Sequence, residues 1–200
     1  MKIDLREDTL KKYDDFLIYG ANQISGPNRY DGHRSAEGQY NVLAHLSTYF
    51  NNGIIIDIGT GKKAVSARSL SYNETNVVYS YDIEFFQTAQ DYIELLDNVE
   101  YNISNPLTKE NTEIMLSASL ISLDVDPHDG IQEKDFVNFF VDNNWKGLMV
   151  CDDIEEKIEM KRFWQNVSKT KYDISYTRYS HYSGTGIICF DDQSIILNDS

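Results

Sequence analysis

Short apolar runs alternate with longer stretches whose apolar residues recur every three or four positions, and this rhythm carries through most of the 200 residues. The runs at 54–58, 77–82, 99–103, 120–124 and 147–151 are rich in β-branched and aromatic residues and too short for buried helices, so they predict strands. Between them, 62–70, 84–96, 108–117 and 131–143 keep helical spacing, with Phe136, Phe139 and Phe140 inward on the last. A helix at 155–167 follows. Two further runs, 172–177 and 186–190, joined by a tight connection at 180–184, predict a hairpin. Upstream, Tyr40, Leu43, Leu46 and Phe50 hold helical spacing in a helix that starts at Ser35. Residues 1–34 are polar and irregular, with a helical piece at 9–19 and a turn-rich loop at 26–33 that reads as a lid.

Strands alternating with crossover helices predict an α/β fold with a parallel sheet and helices on both faces, whose ligands sit at the carboxyl ends of the strands. The hairpin makes the last of seven strands antiparallel. No Pro/Gly/Ser-rich linker divides the chain, so 1–34 is an appendage on a single domain at 35–200.

Composition narrows the function. A 41% hydrophobic content fills one core, while a net charge of −14 with no basic run disfavours nucleic-acid partners. There is no apolar stretch of membrane length and no apolar leader, which predicts a cytoplasmic protein without a membrane partner. Cys151 and Cys189 fall in predicted core strands and read as small buried hydrophobes, not as a disulfide. Fourteen tyrosines with nine phenylalanines and two tryptophans fill a core and can also line a pocket for a sugar or planar ring.

The most informative motif is Asp57-Ile58-Gly59-Thr60-Gly61, an acid at a strand end before a Gly-x-Gly turn. The glycines let the backbone turn sharply and approach a ligand closely. A second strand ends in Asp82, whose carboxylate can accept hydrogen bonds from both hydroxyls of a ribose. A phosphate-binding P-loop is excluded, because Ile56 stands where its first glycine belongs and Lys63 where its hydroxyl belongs. A dinucleotide turn is formally satisfied by Gly59, Gly61 and Ala64. Asp57 favours S-adenosyl-L-methionine instead, since a carboxylate there suits its cationic amino group and would repel a pyrophosphate. Ile83 and Asn105, after the second and third strands, are placed to contact the adenine.

With these motifs, residues 37–190 resemble the metal-dependent small-molecule O-methyltransferases, a Rossmann-like class I methyltransferase group that includes catechol, caffeoyl-CoA and macrolide-sugar enzymes. Glu37-Gly38-Gln39-Tyr40 resembles the group's helix before the first strand, residues 57–61 its cofactor motif, and Asp124 with Asp152-Asp153 its metal triad. Lys63 replaces a frequent third glycine, and Asp124-Val125-Asp126-Pro127-His128 is one residue longer than the usual Asp-x-x-His. The wording at 124–130 and at 181–186 resembles methyltransferase modules that accompany glycosyltransferases in large algal DNA viruses. That resemblance implies methylation of a deoxysugar such as rhamnose in a glycan, a viral protein in the host cytoplasm, and glycosyltransferase domains in the same polypeptide.

A sugar hydroxyl is protonated at neutral pH, so methylating it calls for a cation and a base. Asp124, Asp152 and Asp153, at two neighbouring strand tips, offer hard oxygen ligands to Mg²⁺ or Mn²⁺; the alternative is that the paired acids cap the helix at 155. His128 is the first candidate for the base, with His181 and His33 as rivals. Arg29, Tyr30, His33, His181 and Tyr182 stand on loops that could close over the acceptor. A catechol acceptor and an NAD-dependent reductase are the competing readings.

Overall fold

Strand and helix alternate as the apolar rhythm requires. The structure is a computed structural model, in which residues 1–14 and 38–197 are described. In chain order the described elements are β1 (Lys2–Asp4), α1 (Glu7–Leu10), a 3-10 turn (Lys11–Tyr13), α2 (Gly38–Ser47), β2 (Ile54–Ile58), α3 (Val65–Leu70), β3 (Val77–Asp82), α4 (Gln87–Ile93), β4 (Val99–Ile103), α5 (Thr112–Ser117), β5 (Ala118–Leu123), α6 (Ile131–Asp142), β6 (Leu148–Asp152), α7 (Ile158–Asn166), β7 (Thr170–Asp173), β8 (Thr185–Cys189) and β9 (Ser194–Ile196). Seven strands form one sheet in the order β4-β3-β2-β5-β6-β8-β7. All of its pairings are parallel except those of β8, which runs antiparallel to both β6 and β7.

Side chains of the central strands alternate between two cores, as a pleat with period two demands. Ile56, Ile121, Met149 and Ile188 face Met115 of α5, Phe136 and Phe140 of α6, and Phe163 of α7. Ile55, Leu120, Leu148 and Ile187 face Val42 and Leu46 of α2 and Leu70 of α3. Both faces are therefore covered, which is why these strands read as almost continuous apolar runs.

Several expected boundaries move. The strand expected at 172–177 is β7 at Thr170–Asp173, and its last residues join a longer loop to β8, so the connection at 180–184 is not tight. The helix expected over 155–167 starts at Ile158, because residues 154–156 form a turn. The helix expected from Ser35 is described from Gly38, and the lid loop at 26–33, with Arg29, Tyr30 and His33, lies outside the described residues. An unexpected two-stranded sheet joins β1 in parallel to β9. It is tied to the body through His45 of α2. Its Nε2 donates to the Asp4 carbonyl at 2.8 Å, which leaves Nδ1 to accept from the Tyr13 hydroxyl at 2.9 Å.

Candidate active site

The candidate site is assembled from the carboxyl ends of β2, β3, β5 and β6, where the parallel sheet brings the acidic motif residues to one edge. After β2 the chain turns at Gly59 with φ +90°, and a Cβ there would lie 1.6 Å from the Asp124 carbonyl oxygen. Only glycine fits that contact. The turn is pinned from both neighbours: Gly59 N–H donates to the Tyr81 carbonyl at 2.9 Å, and Asp124 N–H donates to the Ile58 carbonyl at 2.9 Å. Gly61 N–H donates to Asp82 Oδ2 at 2.9 Å, and Glu84 N–H to Asp82 Oδ1 at 3.0 Å, so the carboxylate is held in place with lone pairs to spare.

Asp57 is fully buried. Its Oδ2 accepts from the Ser80 hydroxyl at 2.6 Å, and Ser80 accepts in turn from Thr60 Oγ1 at 2.6 Å. Oδ1 has no hydrogen-bond partner. Burial pushes the Asp57 carboxyl up to about 6, against the hydroxyls of Ser80 and Ser66, with Asp82 adding to the rise. The Thr60 side chain is thus committed to the strand behind it. A cleft of about 490 Å³ opens in front of the turn, lined by Gly59, Gly61, Asp82, Ile83, Asn105 and Asp124 among others. Ile83 stands 76% exposed on its wall, while Asn105 Oδ1 accepts from Leu107 N–H and shapes the far side.

Asp124, the floor residue of that cleft, continues into a carboxylate–imidazole cluster. His128 Nε2 is 3.2 Å from Asp153 Oδ2, 3.4 Å from Asp126 Oδ1 and 3.9 Å from Asp124 Oδ1. His181 Nδ1 is 2.7 Å from Asp153 Oδ1 and 3.2 Å from Asp152 Oδ1, and Ser183 Oγ also donates to Asp153 Oδ1. Asp152 Oδ2 accepts from Gln39 Nε2 at 2.7 Å. Burial and then the crowding of Asp152 and Asp153 hold the Asp124 carboxyl well above the usual carboxylate range. Asp153 goes the other way: burial pushes it up, but hydrogen bonds from His181 and Ser183 outweigh that and lower it. Burial opposes the charge on His181, yet Asp152 and Asp153 raise it to about 10. Both His128 (φ +53°) and Asp153 (φ +57°) adopt the left-handed backbone region, so strained residues gather where the carboxylates converge.

The three acids expected at the strand tips are therefore close together, but they do not form one group of mutually near ligand atoms. Asp124 and Asp153 share such a group with His128, and Asp152 and Asp153 share another with His181. His181 joins the carboxylates instead of facing an open acceptor surface, with the Tyr182 ring tilted against it at 51°, centroids 4.3 Å apart, and 59% exposed. Sequence reasoning passed over Gln39, Ser183 and Glu133. Gln39 and Ser183 lay in motifs already singled out, at 37–40 and 181–186, but neither was given a role. Glu133, in the first turn of α6, reads from sequence as an ordinary solvated acid, yet it is 2% exposed.

No family model matches the chain, and no curated protein matches it. Solved structures do. A structure of a putative caffeoyl-CoA O-methyltransferase from Staphylococcus aureus superposes with a TM-score of 0.57 at 14% identity, covering 90% of this chain and 91% of that one. A methyltransferase from Podospora anserina with bound S-adenosylhomocysteine gives 0.57 at 14% identity, covering 92% and 88%. A precorrin-6y C5,15-methyltransferase from Geobacter metallireducens gives 0.52 at 12%, covering 74% and 85%. No described helix is long and apolar enough to cross a membrane. The seven-stranded sheet with its one antiparallel strand and helices on both faces is the class I methyltransferase fold, and this chain has it.

Proposed function

We propose that this protein is an S-adenosylmethionine-dependent O-methyltransferase that methylates a hydroxyl of a deoxysugar such as rhamnose within a glycan, with help from Mg²⁺ or Mn²⁺. One observation carries the reading: the cleft in front of the glycine turn ends on Asp124, which is also a member of the carboxylate–imidazole cluster. A cofactor site and a cation site thus share one wall.

The residues present fit the cofactor. The unpartnered Oδ1 of Asp57 is a buried acceptor awaiting a donor, the turn at Gly59 admits no side chain, and Asp82 is held with free lone pairs. Ile83 and Asn105 bound the same cleft. Asp124 and Asp153 fit a divalent cation, being the two carboxylates that share a near-ligand group with a site histidine. When bound, the cofactor supplies a methyl group on a sulfonium, and the cation lowers the pKa of the hydroxyl that receives it. The chain's own work is to bind, to orient and to keep charge in register: Gly59 and Asp82 place the nucleoside, and Asp124 bridges cofactor cleft and cluster. The two ring nitrogens of His128 lie 3.9 Å from Glu133 Oε1 and 3.2 Å from Asp153 Oδ2, and Asp152 and Asp153 raise His181 to about 10 against its burial, which disfavours His181 as the base.

Methyl transfer from labelled S-adenosylmethionine, measured side by side on rhamnosides, other glycosides and catechols with and without EDTA, tests this reading. Turnover on a rhamnoside that EDTA abolishes and Mn²⁺ restores is the expected result. Turnover of catechol with none on any glycoside would replace the sugar by the catechol reading, which the same carboxylates support because they suit a pair of chelating oxygens.

A further inference from the structure

We propose that the free edge of β4 is a docking site for a basic, extended polypeptide segment of another protein, which adds to the seven-stranded sheet as one more strand. The inference stands apart from the methyltransferase reading and does not depend on it. β4 is the outermost strand on its side and, among the described residues, is bonded only to β3. Val78 pairs in register with Val99, and its N–H donates to the Asn98 carbonyl at 2.8 Å. In a parallel pair, residues 98, 100 and 102 therefore turn their backbone groups towards β3, while Val99, Tyr101 and Ile103 turn theirs outward. Edges of this kind are normally blunted by lysine, proline, a bulge or a covering element. β4 reads Val-Glu-Tyr-Asn-Ile, with neither lysine nor proline, and its register with β3 runs without a shift. The opposite edge is guarded: β7 has four residues, follows Lys169 and carries Lys171.

Two further observations say what covers this edge. Beside it lies an apolar face: Phe85 is 55% exposed and stacks on Tyr101 with ring centroids 6.3 Å apart, and Ile103, 44% exposed, is two residues further on the same side of the strand. Side-chain contact is thus offered next to unpaired N–H and C=O groups, the combination that strand addition uses. Around the edge the charge has one sign. Residues 82–108 contain six acids and no lysine, arginine or histidine, and of these acids Glu84, Asp91, Glu94, Asp97 and Glu100 are exposed. Ala89 and Ile93 of α4 pack with Val99 and Tyr101, so the acids of α4 and of the turn after it flank β4. Asp91 and Glu94 accept from the neutral amides of Gln87 and Gln90, which leaves their charge uncancelled. Like charge repels a second copy of the same edge, whereas a lysine- or arginine-rich segment is attracted along its whole length. Charge selects the partner, and the bare edge with its apolar face seats it.

The test uses the full chain, without cofactor or acceptor, and a synthetic probe: an acetylated and amidated Lys-Val repeat, with Lys-Pro and Glu-Val repeats of equal length as controls. On binding the Lys-Val peptide, amide hydrogen exchange read by NMR should slow at least about tenfold at Val99, Tyr101 and Ile103. Calorimetry should show that peptide binding at least about tenfold tighter than Lys-Pro, which matches its charge but lacks alternate N–H donors, and no binding of Glu-Val. Ile103→Pro removes one outward N–H without breaking the ladder to β3 and should weaken binding about fivefold or more. The double reversal Glu94→Lys with Glu100→Lys should weaken it about tenfold or more. Unchanged exchange of the β2 amides in both variants is the expected sign of an intact sheet. Equal affinity for Lys-Val and Lys-Pro, or protection spread over the surface or placed on β7, would overturn the site, as would no binding of Lys-Val at millimolar concentration. Dimerisation of the wild type that protects the same three amides without peptide would give the edge to a second copy and overturn the choice of partner.

Discussion

Asp57 shows how a single residue can be kept for function at a cost in stability. It is fully buried with one oxygen unpartnered, and burial raises its carboxyl from 3.8 to about 6. A folded-state pKa above the unfolded one means that stability from the protonated form is fully present below pH 3.8 and is lost as pH rises through about 6. At neutral pH the ionised group therefore opposes folding by up to about 3 kcal/mol. Asp57→Asn should stabilise the ligand-free protein by about 1–3 kcal/mol at pH 7.5, with the gain vanishing below pH 4, while weakening S-adenosylmethionine binding at least tenfold. Urea unfolding at several pH values with parallel calorimetry checks both halves; a stability difference between Asp57→Asn and wild type that does not change with pH would show that the Asp57 carboxyl is not raised in the folded protein. At this scale the sequence was informative where a residue's place follows from a strand end, as for Asp57, Asp82 and Asp124. It was silent on orientation: Thr60 turns back to Ser80, and Glu133 is buried although its place in the first turn of α6 reads as solvated.

Among the elements, the turn after β2 is the one whose chemistry was plainest in the sequence, and its two glycines are not equivalent. Gly59 has φ +90° and a carbonyl oxygen 1.6 Å from where a Cβ would stand, whereas Gly61 has φ +62° with nothing within 4 Å. Gly59→Ala forces apart the β2 and β5 strand ends and should cost more than about 3 kcal/mol, or prevent folding. Gly61→Ala bears only the left-handed strain, about 1–2 kcal/mol. Denaturant midpoints separate the two, and comparable losses would mean that the close approach of Asp124 is not rigid. Element types were legible because apolar period is a property of each run by itself. Boundaries were less so. The loop after β7 keeps apolar Ile174 buried without being a strand, and the turn before α7 carries acids that read as helical until the cluster claims Asp153 for a left-handed bend. The β1–β9 pairing could not be read at all, since each strand has three residues and their partnership depends on chain ends meeting in space.

Across the whole molecule, the mostly parallel sheet with an antiparallel strand near its end was legible in the sequence from alternating strands and helices and a terminal hairpin, whereas the strand order β4-β3-β2-β5-β6-β8-β7 was not. What it could not state is how unevenly the net charge of −14 is distributed. Among the described residues, the cleft is lined by Asp82, Glu84, Asp124, Asp126 and Asp135 against one cation, Lys62. S-adenosylmethionine carries a sulfonium and an ammonium against one carboxylate, whereas its demethylated product has no net charge. The field of the cleft should therefore favour the cofactor over the product and assist product release. It should also repel acceptors that carry diphosphates, which favours a glycoside already joined to a glycan over a nucleotide-linked sugar. Because Glu84, Asp126 and Asp135 of this lining are exposed, added salt should screen this preference. Between about 50 and 500 mM NaCl, S-adenosylmethionine affinity should fall about three- to tenfold while that of S-adenosylhomocysteine changes less than about twofold. Titration calorimetry of both ligands at each ionic strength measures it, and parallel salt slopes would mean that the carboxylates are neutralised in solution, as a bound divalent cation beside Asp124 would do.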